Sequence, residues 1–219
     1  MEKKQNHRIL FSVITILITA IVGISIYIAY LFLSTPQTVY APEYLLDDDG
    51  ITEIEPPLEM PDFTLTDQYN ESINLSDLDG SLSLITFGFT HCPDVCPITL
   101  GEMRNIREDL GNLADELDYV FVSVDGERDT PDVLSTYFTT LRVDGFITGM
   151  TGSESQLRTI SESYGVEFIY NEPDQLGNYT VDHTAGMFLL DENHNWIRRY
   201  RYGIQSNLIA DDIRQILEN

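Results

Sequence analysis

The chain of 219 residues is poor in cysteine and in basic charge, and lysine occurs only at Lys3 and Lys4. Two cysteines cannot form the framework of a disulfide-stapled scaffold. Twelve basic residues against thirty-six acidic ones leave a formal net charge of −24. A surface that negative repels phosphate backbones and anionic headgroups, which excludes nucleic acid as an ordinary partner. It attracts cations and keeps a domain soluble, and adaptation, for instance to salt, is the simpler reading of the charge. No internal repeat is visible, no proline follows Pro173, and the mixed composition excludes a collagen-like, coiled-coil or mostly disordered chain. What is present is 42% hydrophobic residues, enough to build the core of one domain with an appendage.

The appendage is N-terminal. Residues 9–33 carry no charge, and as a helix the run is about 37 Å long, more than the roughly 30 Å hydrocarbon core needs. It is too long for the h-region of a cleaved signal, and no cysteine near its end offers a lipid attachment point. Lys3, Lys4 and Arg8 precede it and no basic residue follows before Arg104, so the positive-inside rule places residues 1–8 in the cytoplasm. The expectation is a single-pass cell-membrane protein with its globular domain on the extracytoplasmic, oxidising side. Residues 34–59, with Pro36, Pro42, Pro56 and Pro57 among acidic side chains, read as a disordered, self-repelling tether.

Residues 60–219 alternate strand and helix patterns. Apolar runs at 82–89 and 119–124 read as buried strands, with a short one at 146–147. Met103, Ile106, Leu110, Leu113 and Leu117 recur at helical spacing after Pro97. Thr130-Pro131-Asp132 reads as an N-cap followed by a first-turn proline and acid. Leu157, Ile160 and Tyr164 mark a further helix; residues 187–200 form a strand, turn and strand; Leu208, Ile209, Ile213, Ile216 and Leu217 end the chain as a helix. The order predicts an α/β sandwich with parallel strands at its centre.

Both cysteines lie between the first strand and the first long helix. Pro97 disfavours helical geometry at Cys96, which predicts a helix starting at Pro97 with both thiols in the loop before it. There the helix N-terminus favours thiolate, the form that binds metal or attacks disulfides. As a mere staple, a five-residue disulfide loop would contribute only about 2 kcal/mol, which favours a functional pair. Of the four histidines, His7 falls on the cytoplasmic side, His91 adjoins the cysteines and His194 sits in a polar turn. His183 precedes the strand at 185–190, where loops at strand ends converge; spacing alone leaves a ligand and a hydrogen-bonded structural residue equally open.

Three stretches carry a resemblance: Gly88-Phe-Thr-His-Cys92-Pro-Asp-Val-Cys96-Pro97, Val122-Ser-Val-Asp125-Gly-Glu-Arg-Asp129-Thr-Pro131, and Val181-Asp-His183-Thr-Ala-Gly-Met-Phe-Leu-Leu190-Asp191. In order and separation they resemble the Sco/SenC family of copper-binding, thioredoxin-like proteins that assemble cytochrome c oxidase. The resemblance implies a three-layer thioredoxin-like α/β/α sandwich behind an N-terminal transmembrane helix, with Cys92, Cys96 and His183 as copper ligands. It implies Asp125 as a supporting acidic residue. Gly126 stands where the family commonly has proline, which leaves that loop freer. The implied partners are the oxidase subunit carrying the CuA site and a thiol reductant for the Cys92–Cys96 pair.

The implied donor set is soft and suits Cu(I); Cu(II) fits if water or a carboxylate fills a fourth position. Structural zinc prefers four ligands, and three are evident. The competing reading is a membrane-anchored thiol–disulfide oxidoreductase. Thioredoxin-type enzymes, however, use Cys-x-x-Cys and a cis-proline before the strand equivalent to 185–190, and this chain has neither.

Overall fold

The computed structural model describes residues 19–25, 27 and 50–218. Residues 19–25 and 27 are helical; the rest of the expected 9–33 anchor, and residues 34–49 of the tether, lie outside the described residues. Among the described residues no helix is long and apolar enough to cross a membrane.

The globular unit is built on an eight-stranded sheet in the order β1-β10-β9-β4-β5-β6-β2-β3. The strands are β1 (Ile51–Glu59), β2 (Thr64–Asp67), β3 (Ser72–Asn74), β4 (Leu82–Gly88), β5 (Leu117–Ser123), β6 (Ile147–Thr151), β9 (Gly186–Asp191) and β10 (Asn195–Arg201). β4, β5 and β6 run parallel, as the sequence predicts, and β9 lies antiparallel on the other side of β4. Alternation sorts the side chains between two cores. Leu84, Tyr119, Phe121 and Leu189 face α1 (Val95–Leu110), α2 (Pro131–Leu141) and α4 (Ser206–Leu217). Ile85, Phe87, Val120, Val122 and Phe188 face α3 (Glu154–Ser163) and a separate hairpin, β7 (Phe168–Tyr170) with β8 (Val181–His183). Each such apolar side chain contributes about 1.5–3 kcal/mol by leaving water. The result is a mixed α/β, thioredoxin-like three-layer sandwich.

Three details depart from the sequence reading. Residues Ile51–Glu59, assigned to the tether, form edge strand β1, paired antiparallel with β10. Its register breaks between Glu53 and Leu58, where Pro56 and Pro57 sit; an edge strand tolerates prolines where the ladder is interrupted. Helix α1 begins at Val95 rather than Pro97, so Cys96 belongs to its first turn. Proline is harmless there because first-turn N–H groups have no helical partner to lose. The same helix stops at Leu110, with Gly111 at φ +59° behind it; Leu113 falls in a 3₁₀ turn and Leu117 opens β5.

Candidate metal centre

Two strand ends bring the thiols and an imidazole together. β4 delivers the chain to the cysteine loop at its C-terminal end. β9 starts beside that end because it runs antiparallel to β4, and Thr86 Oγ1 donates to the Gly186 carbonyl at 3.0 Å. The residues just before Gly186, including His183, therefore stand against the cysteine loop. His183 Nε2 lies 3.7 Å from Cys96 Sγ. Cys92 is half-buried one helical turn away, and its Sγ accepts the Cys96 N–H at 3.4 Å. A glycine makes room for the buried sulfur: a Cβ on Gly88 would fall 2.9 Å from Cys96 Sγ and 2.8 Å from the Phe121 ring.

The imidazole is held in one tautomer. Its Nδ1 contacts the Thr184 carbonyl at 3.1 Å, and a carbonyl only accepts, so Nδ1 carries the proton and Nε2 turns its lone pair toward Cys96. That arrangement is typical of histidines that ligate metals. Burial lowers the His183 pKa and keeps the ring neutral, while burial pushes the Cys96 thiol far up. The Phe89 ring stands edge-on to His183 at 6.0 Å. Between the cysteine loop and β8 opens a cleft of about 350 Å³ lined by Phe89, Cys92, Asp94, Asp182 and His183 among others. Among the described residues no three His, Cys, Asp or Glu side chains are already arranged to hold a metal ion, so a shared ion requires these side chains to readjust. Two thiols and a neutral imidazole around one cleft are a donor set of the type that suits a soft ion.

His91 and His194 do not join the site. His91 is exposed and turns Nδ1 to Thr90 Oγ1 at 3.0 Å. His194 lies in the β9–β10 turn, at the end of the sheet where Leu82 pairs with Asp191, opposite the cysteine loop. His7 is outside the described residues.

Asp125 is wholly buried, with both carboxylate oxygens engaged. Oδ2 accepts from Arg128 Nε at 2.5 Å and Oδ1 from the Tyr179 hydroxyl at 2.9 Å. Asp129, which composition and spacing did not single out, ties the cysteine loop to β5. It accepts from the Thr90 amide, the Thr90 hydroxyl (2.6 Å) and the Ser123 hydroxyl (2.7 Å). Burial raises its pKa and these hydrogen bonds oppose the rise.

The SCO1/SenC family model matches residues 52–218. The chain belongs to the SCO1/SenC family. A SCO2-like protein of Rickettsia prowazekii is 33% identical over 94% of this chain and 95% of its own length. Copper-bound ScoI of Bradyrhizobium japonicum is 33% identical, with a TM-score of 0.65 over 71% of this chain and 98% of that one. Copper-bound yeast Sco1 has a TM-score of 0.66 at 27% identity, over 74% of this chain and 90% of that one.

Against the family pattern, the glycine at 126 does not loosen its loop in this SCO1/SenC chain. A Cβ there would fall 1.8 Å from the Gly152 carbonyl oxygen, so the backbone runs where a side chain cannot fit. The Arg128 and Asp129 amides both donate to the Asp125 carbonyl and close the turn that follows.

Proposed function

We propose that this SCO1/SenC protein is a copper chaperone. A single N-terminal span over 9–33 holds it at the cell membrane with the globular domain extracytoplasmic. Cys92, Cys96 and His183 take up copper as Cu(I), and as Cu(II) with a further oxygen donor. The cargo goes to the CuA site of a cytochrome c oxidase subunit, and a thiol reductant keeps the cysteine pair open. One observation carries this reading: the imidazole, with its tautomer fixed by the Thr184 carbonyl, presents Nε2 to the buried thiol at 3.7 Å.

The chemistry is proton exchange. Cu(I) entering the site displaces a proton from each thiol, and both protons leave to solvent, while the neutral imidazole adds a donor without losing one. Oxidation of the pair to a disulfide removes both thiolates together, so the oxidised form must be reduced before it loads. An incomplete coordination sphere at an accessible cleft suits an ion that must be handed on.

The test is His183→Ala. Anaerobic Cu(I) titration should show binding weakened by about 10–100-fold, on the order of 1.4–2.7 kcal/mol. Disulfide formation between Cys92 and Cys96 should be nearly unchanged, and His91→Ala and His194→Ala should do much less. If none of the three changes copper binding while Cys92→Ser abolishes disulfide reductase activity, the protein is an oxidoreductase instead.

A further inference from the structure

The element that carries His183 is weakly built. β7 and β8 are three residues each, pair only with one another and stand outside the main sheet. A two-stranded hairpin of that size has little stability of its own. Its placement against the cysteine loop depends on what crosses between them, and one side chain crosses with several contacts at once.

Arg128 comes from the loop after β5. Its Nε donates to buried Asp125 at 2.5 Å, and its Nη1 donates to the Tyr179 carbonyl at 2.8 Å, four residues before His183. The guanidinium carbon lies 3.5 Å from the centroid of the Tyr179 ring and 5.8 Å from that of Phe89. Phe89 in turn touches both halves of the site. Its carbonyl accepts the Cys92 N–H, and its ring is edge-on to His183. The Tyr179 hydroxyl closes the circuit on the other Asp125 oxygen. A planar fork of donors that also stacks on aromatic rings is arginine chemistry; a lysine ammonium could keep the charge but not these fixed directions.

We propose that Arg128 is a positioning residue that sets how firmly His183 is presented to the thiols, by clamping the β7–β8 hairpin onto the cysteine loop. The inference rests on the copper-binding reading for its metal readout, and a second readout needs no metal.

The experiment uses the full chain in detergent, with Arg128→Lys, His183→Ala and the double variant. Cu(I) affinity by competition with a chromophoric chelator should fall about tenfold for Arg128→Lys in the parent, and by no more than about twofold in the His183→Ala background, because the clamp acts through that imidazole. In metal-free protein, carbethoxylation of His183 should be about fivefold faster in Arg128→Lys, with exposed His91 and half-buried His194, both remote from the hairpin, unchanged as internal references. Equal losses of copper affinity in both backgrounds, or an unchanged His183 modification rate, overturn the clamp. A parent chain that binds no Cu(I) refutes the chaperone reading, and the modification rates still decide the clamp. If Arg128→Lys does not fold, Tyr179→Phe, which removes only the hydroxyl on Asp125, takes its place in the same scheme with about a threefold copper effect expected.

Discussion

Burial acts in opposite directions on the two kinds of donor in this site. It disfavours the charged form of each, which for Cys96 means holding on to a proton and for His183 means refusing one. Under the proposed ligand set, a copper ion arriving near neutral pH must therefore displace the Cys96 proton but meets a ready imidazole. Cu(I) affinity should rise by at least about tenfold per pH unit between pH 6 and 8, measured by chelator competition. A flat profile would mean that Cys96 is already a thiolate. The sign for stability follows from His183: its folded pKa lies below the ordinary 6.5, so on acidification the unfolded chain takes up a proton that the folded chain declines. Its contribution to stability thus begins to be lost as pH falls below 6.5 and is gone once pH passes below the lower folded pKa. The sequence made the cysteine pair conspicuous, because two thiols four positions apart at a strand–helix junction need a reason. His183 needed the family pattern, since a separation of 87 positions from Cys96 hides a contact that only strand order creates. Arg128 and Asp129 fall in a stretch that carries the resemblance but received no role, and Tyr179 stayed silent, because charged and phenolic groups on loops ordinarily face water and nothing in their spacing announces burial.

At the scale of elements, long apolar runs were legible and short or edge pieces were not. β4, β5 and the four helices carry enough periodic residues to betray themselves. β2, β3, β7 and β8 have three or four residues each, too few for a pattern. β1 was masked by Pro56 and Pro57, which look like linker but occupy a break in an edge ladder. Its inclusion has a measurable consequence. A domain beginning at Met60 lacks buried Ile54 and half-buried Leu58, which cover the β10 edge at Trp196. Compared with one beginning at Gly50, it should lose about 3 kcal/mol and melt roughly 6–12 °C lower by circular dichroism. Coincident melts would show that β1 adds nothing to the fold.

For the whole molecule, the dominant fact is the excess of negative charge. Among the described residues, the ion pairs on the domain surface use only Arg107, Arg158, Arg198 and Arg214, four arginines against many more carboxylates. The remaining carboxylates repel one another across the folded surface, and the repulsion is screenable, because raising salt from 0.1 to 1 M shortens the Debye length from about 10 to about 3 Å. The melting temperature should climb by at least about 3 °C over that range in potassium chloride, against the weak salt response of a charge-balanced domain. A melting temperature that stays level or drops would mean that specific ion pairs outweigh the general repulsion. The same field draws cations toward the cleft at low salt and loses that reach at high salt.

The 3.7 Å contact between Cys96 and His183 also fixes an order of events in the life of the chain. The sulfurs are made early and the imidazole late, and the strand that follows the imidazole, β9, inserts between β4 and β10. A chain that has emerged only as far as the second cysteine holds an exposed dithiol, open to oxidation or to the wrong ion. The three proposed donors come together only once β9 has zipped onto β4 across a gap of about a hundred residues, a closure that non-local strand pairing makes slow. Under the proposed ligand set, loading is in that sense a certificate of maturity: a metal could settle on all three donors only in a molecule whose central sheet is already assembled.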